Sequence, residues 1–377
     1  MPLLSPALAQ RIVDRTMEII RSNVNVMDEA GRIIASGERA RIGERHEGAL
    51  IVLARERVVE IGEAAGSSLH DVRPGINLPL RSEGRVVGVV GVSGEPDAVR
   101  PFAELVRMAA ETMIEQARLD ALLASDVRLR EELVVGLVSE AGRSPATVAL
   151  AERLGVDLAR PRVVIVLTQT ETQAPADTML ATQQRCRSRF ADLPGVAGLV
   201  AAPSLCELVG LCEWEDGPGA YTRLHGALTE LLAAQPLPWR AAIGGAFGGE
   251  GGLMHSLRSA RLALRGRHAT GDGGAVVAYR DRPLPILLAD LAEGWRGEEL
   301  SRPYARLAAR DGRGELERTL AAWFAHGLRA GDTARALGIH RNTLDYRLAR
   351  VAEITGLDLD CLDDIVYLYV GMQLRRH

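Results

Sequence analysis

Apolar positions near the start of the chain recur at helical spacing. Leu8, Ile12, Ile19 and Ile20 fall near one face of a helix predicted over about 6–22. Two short apolar runs follow, 24–27 and 32–36, separated by the polar turn Asp28-Glu29-Ala30-Gly31, which reads as a β-hairpin. A helix is expected over 46–55 and a strand over 58–61. A second hairpin joins 76–80 to 86–92 through Ser82-Glu83-Gly84, and Gly88 and Gly91 in its return strand predict a close backbone approach or a bulge. From 96 to about 140 the pattern becomes one long helix. Leu105, Met108, Thr112, Leu119, Leu122, Leu129 and Leu133 alternate at spacings of three and four, interrupted by Glu115 and Asp126. Such a seam fits either a parallel dimer rod or an amphipathic helix lying on its own domain, and length without caps favours the rod.

A polar break at 141–145 precedes a second alternating region. Strands are predicted at 163–167, 196–201, 205–211, 241–247 and 275–279, and helices at 175–190, 221–235 and 253–267. Alternation of this kind predicts a central sheet with helical cover. From 284 onward the chain reads as helical throughout. The expected domains are therefore 1–138, 146–279 and 284–377, a multidomain α+β architecture.

Composition adds bounds. A length of 377 residues suits two or three domains. Apolar residues at 47% and charged residues at 25% describe an ordinary globular chain, and aromatics at 4% make its cores aliphatic. All 45 basic residues are arginine, a coding bias, and the net charge of -4 argues against indiscriminate coating of nucleic acid without excluding one basic module. Cys186, Cys206, Cys212 and Cys361 form no C-x-x-C or zinc pattern and are expected to be buried free thiols in a reducing compartment. No signal peptide, membrane span, metal or cofactor is expected, and the expected location is the cytoplasm. G-x-S-x-G, H-E-x-x-H and Walker signatures are absent from the sequence.

The most informative stretch is 331–351, GDTARALGIHRNTLDYRLARV. Asp332 is a plausible cap for a short helix that turns Ala334 and Leu337 inward, and Gly338 permits a tight turn. On the helix that follows, Leu344, Leu348 and Val351 form a buried stripe at i, i+4 and i+7. Asn342, Tyr346 and Arg350 then point the opposite way, with Thr343 and Arg347 on the flank and Arg341 at the start. Arg and Asn can pair with purine edges, and Thr, Tyr and Arg suit phosphates. This is the pattern of a helix-turn-helix facing operator DNA, set against the plainer reading of a solvated amphipathic helix.

The run His340-Arg341-Asn342-Thr343-Leu344-Asp345-Tyr346-Arg347-Leu348-Ala349-Arg350, followed by Thr355-Gly356-Leu357-Asp358, resembles the C-terminal helix-turn-helix of purine-catabolism regulators. Near the N-terminus, VNVMDEAGRIIASGERARIGERHEGAL and RPGINLPLRSEGRVVGVVGVSGEP resemble a sugar-diacid recognition domain. Together these make the chain similar, over nearly its whole length, to the carbohydrate diacid regulator family of transcriptional activators. The resemblance implies a PAS/Cache-like sensor, a long signalling helix, a degenerate GGDEF-like domain at 146–279 and an all-α DNA-binding end. It also implies a glucarate, galactarate or glycerate effector and an even-numbered homo-oligomer. For such a ligand, Arg41, His46 and Arg73 offer positive charge, Asn77 a hydroxyl partner, and Gly43 and Gly75 a close backbone; His46 could equally cap the helix after it.

The middle region leaves an enzymatic alternative, a residual nucleotide cyclase or hydrolase. Against it, the hairpin at 200–208 lacks the glycine-rich and acidic signature, and Gly248-Gly249-Glu250-Gly251-Gly252 reads first as a flexible connection.

Overall fold

The computed structural model describes residues 4–62, 73–170, 174–215, 217, 219–265, 274–289, 291–292 and 294–375. The chain divides into two compact units, Met1–Asp126 and Val127–His377.

In the first unit, helix α1 (Pro6–Met17) starts at Ser5, whose hydroxyl accepts the Leu8 N–H, with proline in the first turn. It stops short of the predicted end, so Ile19 is 84% exposed rather than inward, while Ile20 is buried. Strands β1 (Val24–Met27) and β2 (Ile33–Ser36) form the first hairpin. Helix α2 (Glu47–Arg55) follows, then β3 (Val59–Ile61), β4 (Gly75–Ser82) and β5 (Arg85–Ser93). The β4–β5 turn places Glu83 and Gly84 at φ 49° and 79°, the left-handed pair a two-residue hairpin requires. The five strands make one antiparallel sheet in the order β2-β1-β5-β4-β3.

Helix α3 (Pro96–Leu137) begins in this unit. Its inward stripe is Val99, Ala103, Val106, Ala110 and Ile114, which packs with α1 on one face of the sheet. The first part of the predicted seam is a second stripe, with Leu105, Met108, Leu119 and Leu122 exposed, whereas Leu129 is half-buried and Leu133 fully buried. The residues that pack on the sheet are therefore not those of the predicted seam. Helix α2 covers the other face of the sheet through Ala49 and Val52, against Met27, Ile33 and Val89.

The second unit continues with α4 (Pro145–Arg153), β6 (Arg162–Gln169), α5 (Ala176–Ala191), β7 (Val200–Ser204), β8 (Glu207–Glu213), α6 (Ala220–Ala233), β9 (Trp239–Ile243), α7 (Gly252–Arg265) and β10 (Val276–Ala278). Helix α4 was not foreseen, and the β7–β8 hairpin lies a few residues later than expected. The sheet order is β10-β9-β6-β8-β7. Alternate residues of β6 divide between two cores. Val163, Ile165 and Leu167 face α5 and α6, whereas Val164 and Val166 face α7, α4 and the end of α3 at Leu133, Val134 and Leu137.

The remainder is helical: α8 (Pro283–Ala289), α9 (Trp295–Arg310), α10 (Glu315–Ala325), α11 (Ala330–Leu337), α12 (Arg341–Thr355) and α13 (Leu362–Arg375). Tyr304, Leu307, Leu320, Trp323, Val351, Ile354, Leu368 and Met372 form its core. The cysteines depart from expectation: Cys186 and Cys212 are buried, but Cys206 is half-buried and Cys361 exposed.

Candidate DNA-reading helix and sensor site

Helix α11 ends at Gly338, whose φ of 65° is the left-handed conformation that lets the chain turn tightly. Its N-cap is Arg329 rather than Asp332. Asp332 lies in the first turn instead and pairs with Arg329 and Arg335, where a carboxylate favours the helix dipole. His340 caps α12, its Nδ1 accepting the Asn342 N–H at 3.3 Å. Leu344 and Val351 are fully buried and Leu348 packs against the same core, so one face of α12 is anchored.

The other face is open. Arg341, Asn342, Thr343, Tyr346 and Arg350 are exposed, Tyr346 at 72%. Arg350 pairs with Glu353, and Arg341 approaches Asp345 at 4.0 Å, exposed contacts that a phosphate can displace. Arg347 behaves differently. Its guanidinium donates to Thr319 Oγ1 at 3.3 Å and to Glu315 Oε2 at 3.2 Å on α10, leaving its side chain only 23% exposed. Arg329 and Arg335, which the sequence reading passed over, extend the exposed cationic surface onto α11, with side chains 78% and 82% exposed.

In the first unit the predicted ligand residues divide. His46 is the α2 N-cap: its Nδ1 accepts the Ala49 N–H at 3.2 Å. Burial, and then the charge of Arg41, hold the ring down at about 4, with Glu44 opposing, so the imidazole is neutral. Arg41 pairs with Glu44 at 3.3 Å and Arg73 with Glu38 at 2.6 Å. The glycines do not offer the backbone as expected. Gly43 has φ 96° and spends its N–H on Ile33 O at 2.8 Å. At Gly75 a side chain would collide with Val92 O at 2.5 Å, so glycine there answers to strand packing.

Asn77 belongs to a feature that only the sheet reveals. Ser36 pairs with Asn25, Asn25 with Gly91, and Gly91 with Asn77 across β2-β1-β5-β4. Asn25 and Asn77 are almost fully buried, on strands whose alternate residues line the opposite, apolar face. The Asn25 Oδ1 accepts from Ser36 Oγ at 2.6 Å and from Asn23 Nδ2 at 3.2 Å. Asn23 Oδ1 is buried with no hydrogen-bond partner. At the other end, a Cβ on Gly48 would lie 2.9 Å from Asn77 Nδ2 and 3.1 Å from His46 Cε1, so Asn77 and His46 both border the first turn of α2 at Gly48. A polar row beneath a helix in an otherwise apolar layer costs free energy unless its groups are satisfied. Asn23, Asn25 and Ser36 were missed because each reads locally as an ordinary strand or turn residue. A polar residue between two valines, Val24-Asn25-Val26, was the available signal.

Residues 4–137 match the family described as sugar diacid recognition, 139–265 the GGDEF-like domain, and 316–374 the PucR C-terminal helix-turn-helix domain. Fold, exposed reading helix and sensor unit together define a ligand-responsive DNA-binding transcription regulator. The carbohydrate diacid regulator of Escherichia coli K12 is 46% identical over 378 residues, covering 98% of each chain. A protein of Haemophilus influenzae is 34% identical over 371 residues, covering 97% of this chain and 98% of its own. The transcriptional activator PmfR of Paenarthrobacter nicotinovorans is 47% identical over 58 residues, 15% of this chain and 12% of its own. The chain belongs to the carbohydrate diacid regulator family.

Proposed function

We propose that this protein activates genes for uptake and breakdown of sugar diacids, with glucarate, galactarate or glycerate as effector bound in the 1–138 domain. The observation that carries the reading is the buried polar row Ser36-Asn25-Gly91-Asn77 ending at His46, with Arg41 and Arg73 near its two ends through Glu44 and Glu38. Hydroxyls of a sugar acid suit the amides, and its carboxylates suit the arginines. The strand order β2-β1-β5-β4-β3 supports a PAS/Cache-like reading of this domain.

The 284–377 domain binds operator DNA through Arg341, Asn342, Thr343, Tyr346 and Arg350, with Arg347 fixing the reading helix to α10. The exposed stripe of α3 pairs two copies into a dimer or higher even oligomer, and effector binding shifts the register or angle of that pair. An effector can do so only by binding one arrangement better than the other. The protein works in the cytoplasm; among the described residues no helix is long and apolar enough to cross a membrane.

The 146–279 domain transmits rather than catalyses. Its β7–β8 turn carries Leu205 and Cys206, and Glu207 is engaged by Arg261 at 2.5 Å. Among the described residues no group of three or more His, Cys, Asp or Glu is placed to hold a metal. Calorimetry of the full chain against the three acids, followed by gel shift on its own upstream DNA with and without the binder, tests the proposal. Heat with one acid and a ligand-dependent shift are expected. No heat with any of them removes the effector assignment, and no shift removes the DNA assignment.

A further inference from the structure

A cavity of about 350 Å³ lies in the second unit, and its lining includes no residue of the reading helix or of the polar row. Among the described residues its lining holds three arginines, Arg143, Arg160 and Arg162, and no acidic side chain. The glycine loop ahead of α7 forms another wall, through Gly248, Gly249, Gly251 and Gly252. Gly249 and Gly251 adopt φ 80° and 83°. Such a loop running into a helix N-terminus turns backbone N–H groups and the positive end of the dipole toward one place.

The independent observation is Arg162, at the start of β6. Its side chain is only 5% exposed, and its Nε is buried with no hydrogen-bond partner. One Nη donates to Asp157 O at 2.6 Å, and the other reaches Glu213 Oε1 at 3.2 Å. Glu213 is shared, because Arg160 Nη1 also takes it at 2.9 Å. Arg143 contributes a third guanidinium, which donates to a neutral carbonyl, Leu158 O, at 2.5 Å. Counting Asp157, which Arg160 approaches at 3.7 Å, and Glu215, whose charge also acts on Arg160, the three cations have three carboxylates nearby, and none of the three belongs to the cavity lining. Burial disfavours the charged Arg162, and arginine does not respond by losing its proton. A buried guanidinium with one N–H unsatisfied is costly, and an anion placed beside it offsets part of that cost.

We propose that this cavity is a second effector site that takes a phosphate-bearing small molecule, held by Arg143, Arg160, Arg162 and the N-terminus of α7. A phosphate presents three oxygens in different directions, which matches donors arriving from three sides better than a flat carboxylate does. The volume lies within the range of small-ligand pockets. Trp214 and Phe247 give the remaining wall an aromatic character that suits a ring attached to the phosphate. The cavity is also lined by Leu137, the last residue of α3, and by Gly142 of the segment after it. An occupant would therefore bear on the residues through which α3 joins this unit.

The test is titration of the full chain with inorganic phosphate, GTP and ATP by calorimetry and tryptophan fluorescence, with glucarate as the carboxylate control. Saturable binding of at least one phosphate-bearing probe is expected, not displaced by glucarate. Arg143→Ala, at an exposed position, should weaken it about tenfold or more, and Arg160→Ala should do the same, while circular dichroism and the gel shift of the unliganded protein stay as in the wild type. Phosphate against the nucleotides tells a bare anion site from one that also uses the aromatic wall. No saturable binding of any phosphate probe, displacement by glucarate, or equal affinity in both variants overturns the proposal. None of these results bears on the sugar-acid site, which Arg143 and Arg160 do not enter.

Discussion

Asn77 Oδ1 lies directly over Gly91, its partner across β4 and β5: a Cβ on Gly91 would stand 2.7 Å from that oxygen. The glycine is what allows the amide to lie along the sheet. Gly91→Ala should force Asn77 aside and lower the affinity for the sugar acid about tenfold, the value of one well-made hydrogen bond. Calorimetry of the variant reads this directly, and unchanged affinity would take Asn77 out of the binding row.

The neutral His46 makes stability depend on pH. Its folded value, about 4, lies below the 6.5 of a free imidazole, so the unfolded chain binds the proton more readily. The stability this ring supplies is complete above about pH 6.5 and falls away as pH drops toward about 4. The whole span amounts to about 3 kcal/mol. His46→Asn keeps a capping side chain and removes the titration. Urea denaturation at about pH 7 and about pH 5 should show wild type losing more stability than the variant between the two; equal losses would mean the ring is not held neutral.

Arg347 and Arg350, one turn apart on α12, should fail in different ways. Arg350→Ala should weaken binding to all DNA sequences alike and reduce the salt slope by about one. Arg347→Ala breaks the bonds to Thr319 and Glu315 and should cost about 1 kcal/mol of stability, with the salt slope largely kept. Gel shifts across a salt series, paired with thermal melts, separate the two.

Asn342→Ala should cost about 1–3 kcal/mol of operator binding and relax the preference at one base pair. Its exposure on α12 leaves folding little affected. A variant that binds every operator substitution as the wild type does would assign the amide to solvent.

The exposed stripe on α3 gives an oligomer prediction. Leu119 and Leu122 are 48% and 54% exposed, so Leu119→Glu with Leu122→Glu places charge where folding of one copy does not need apolar contact. Sedimentation should show a dimer becoming a monomer. A pair that stays dimeric would move the interface elsewhere.

The reading helix was legible in the sequence because a helix face is local: Leu344, Leu348 and Val351 fix inward and outward within three turns, and Gly338 marks the turn before them. The same holds for the α2 cap at His46 and for the β4–β5 hairpin. The role of Arg347 was not, because its partners Thr319 and Glu315 lie on another helix, and only packing of α10 against α12 brings them close. Gly43 and Gly75 looked available to a ligand until hydrogen bonding and strand contact accounted for them. The row Ser36-Asn25-Gly91-Asn77 joins residues far apart in the chain, and side-chain spacing along one strand does not say which strands will be neighbours. Periodicity sets which face of an element is buried; the pairing of distant elements, which depends on how whole faces fit together, decided which polar groups share that interior.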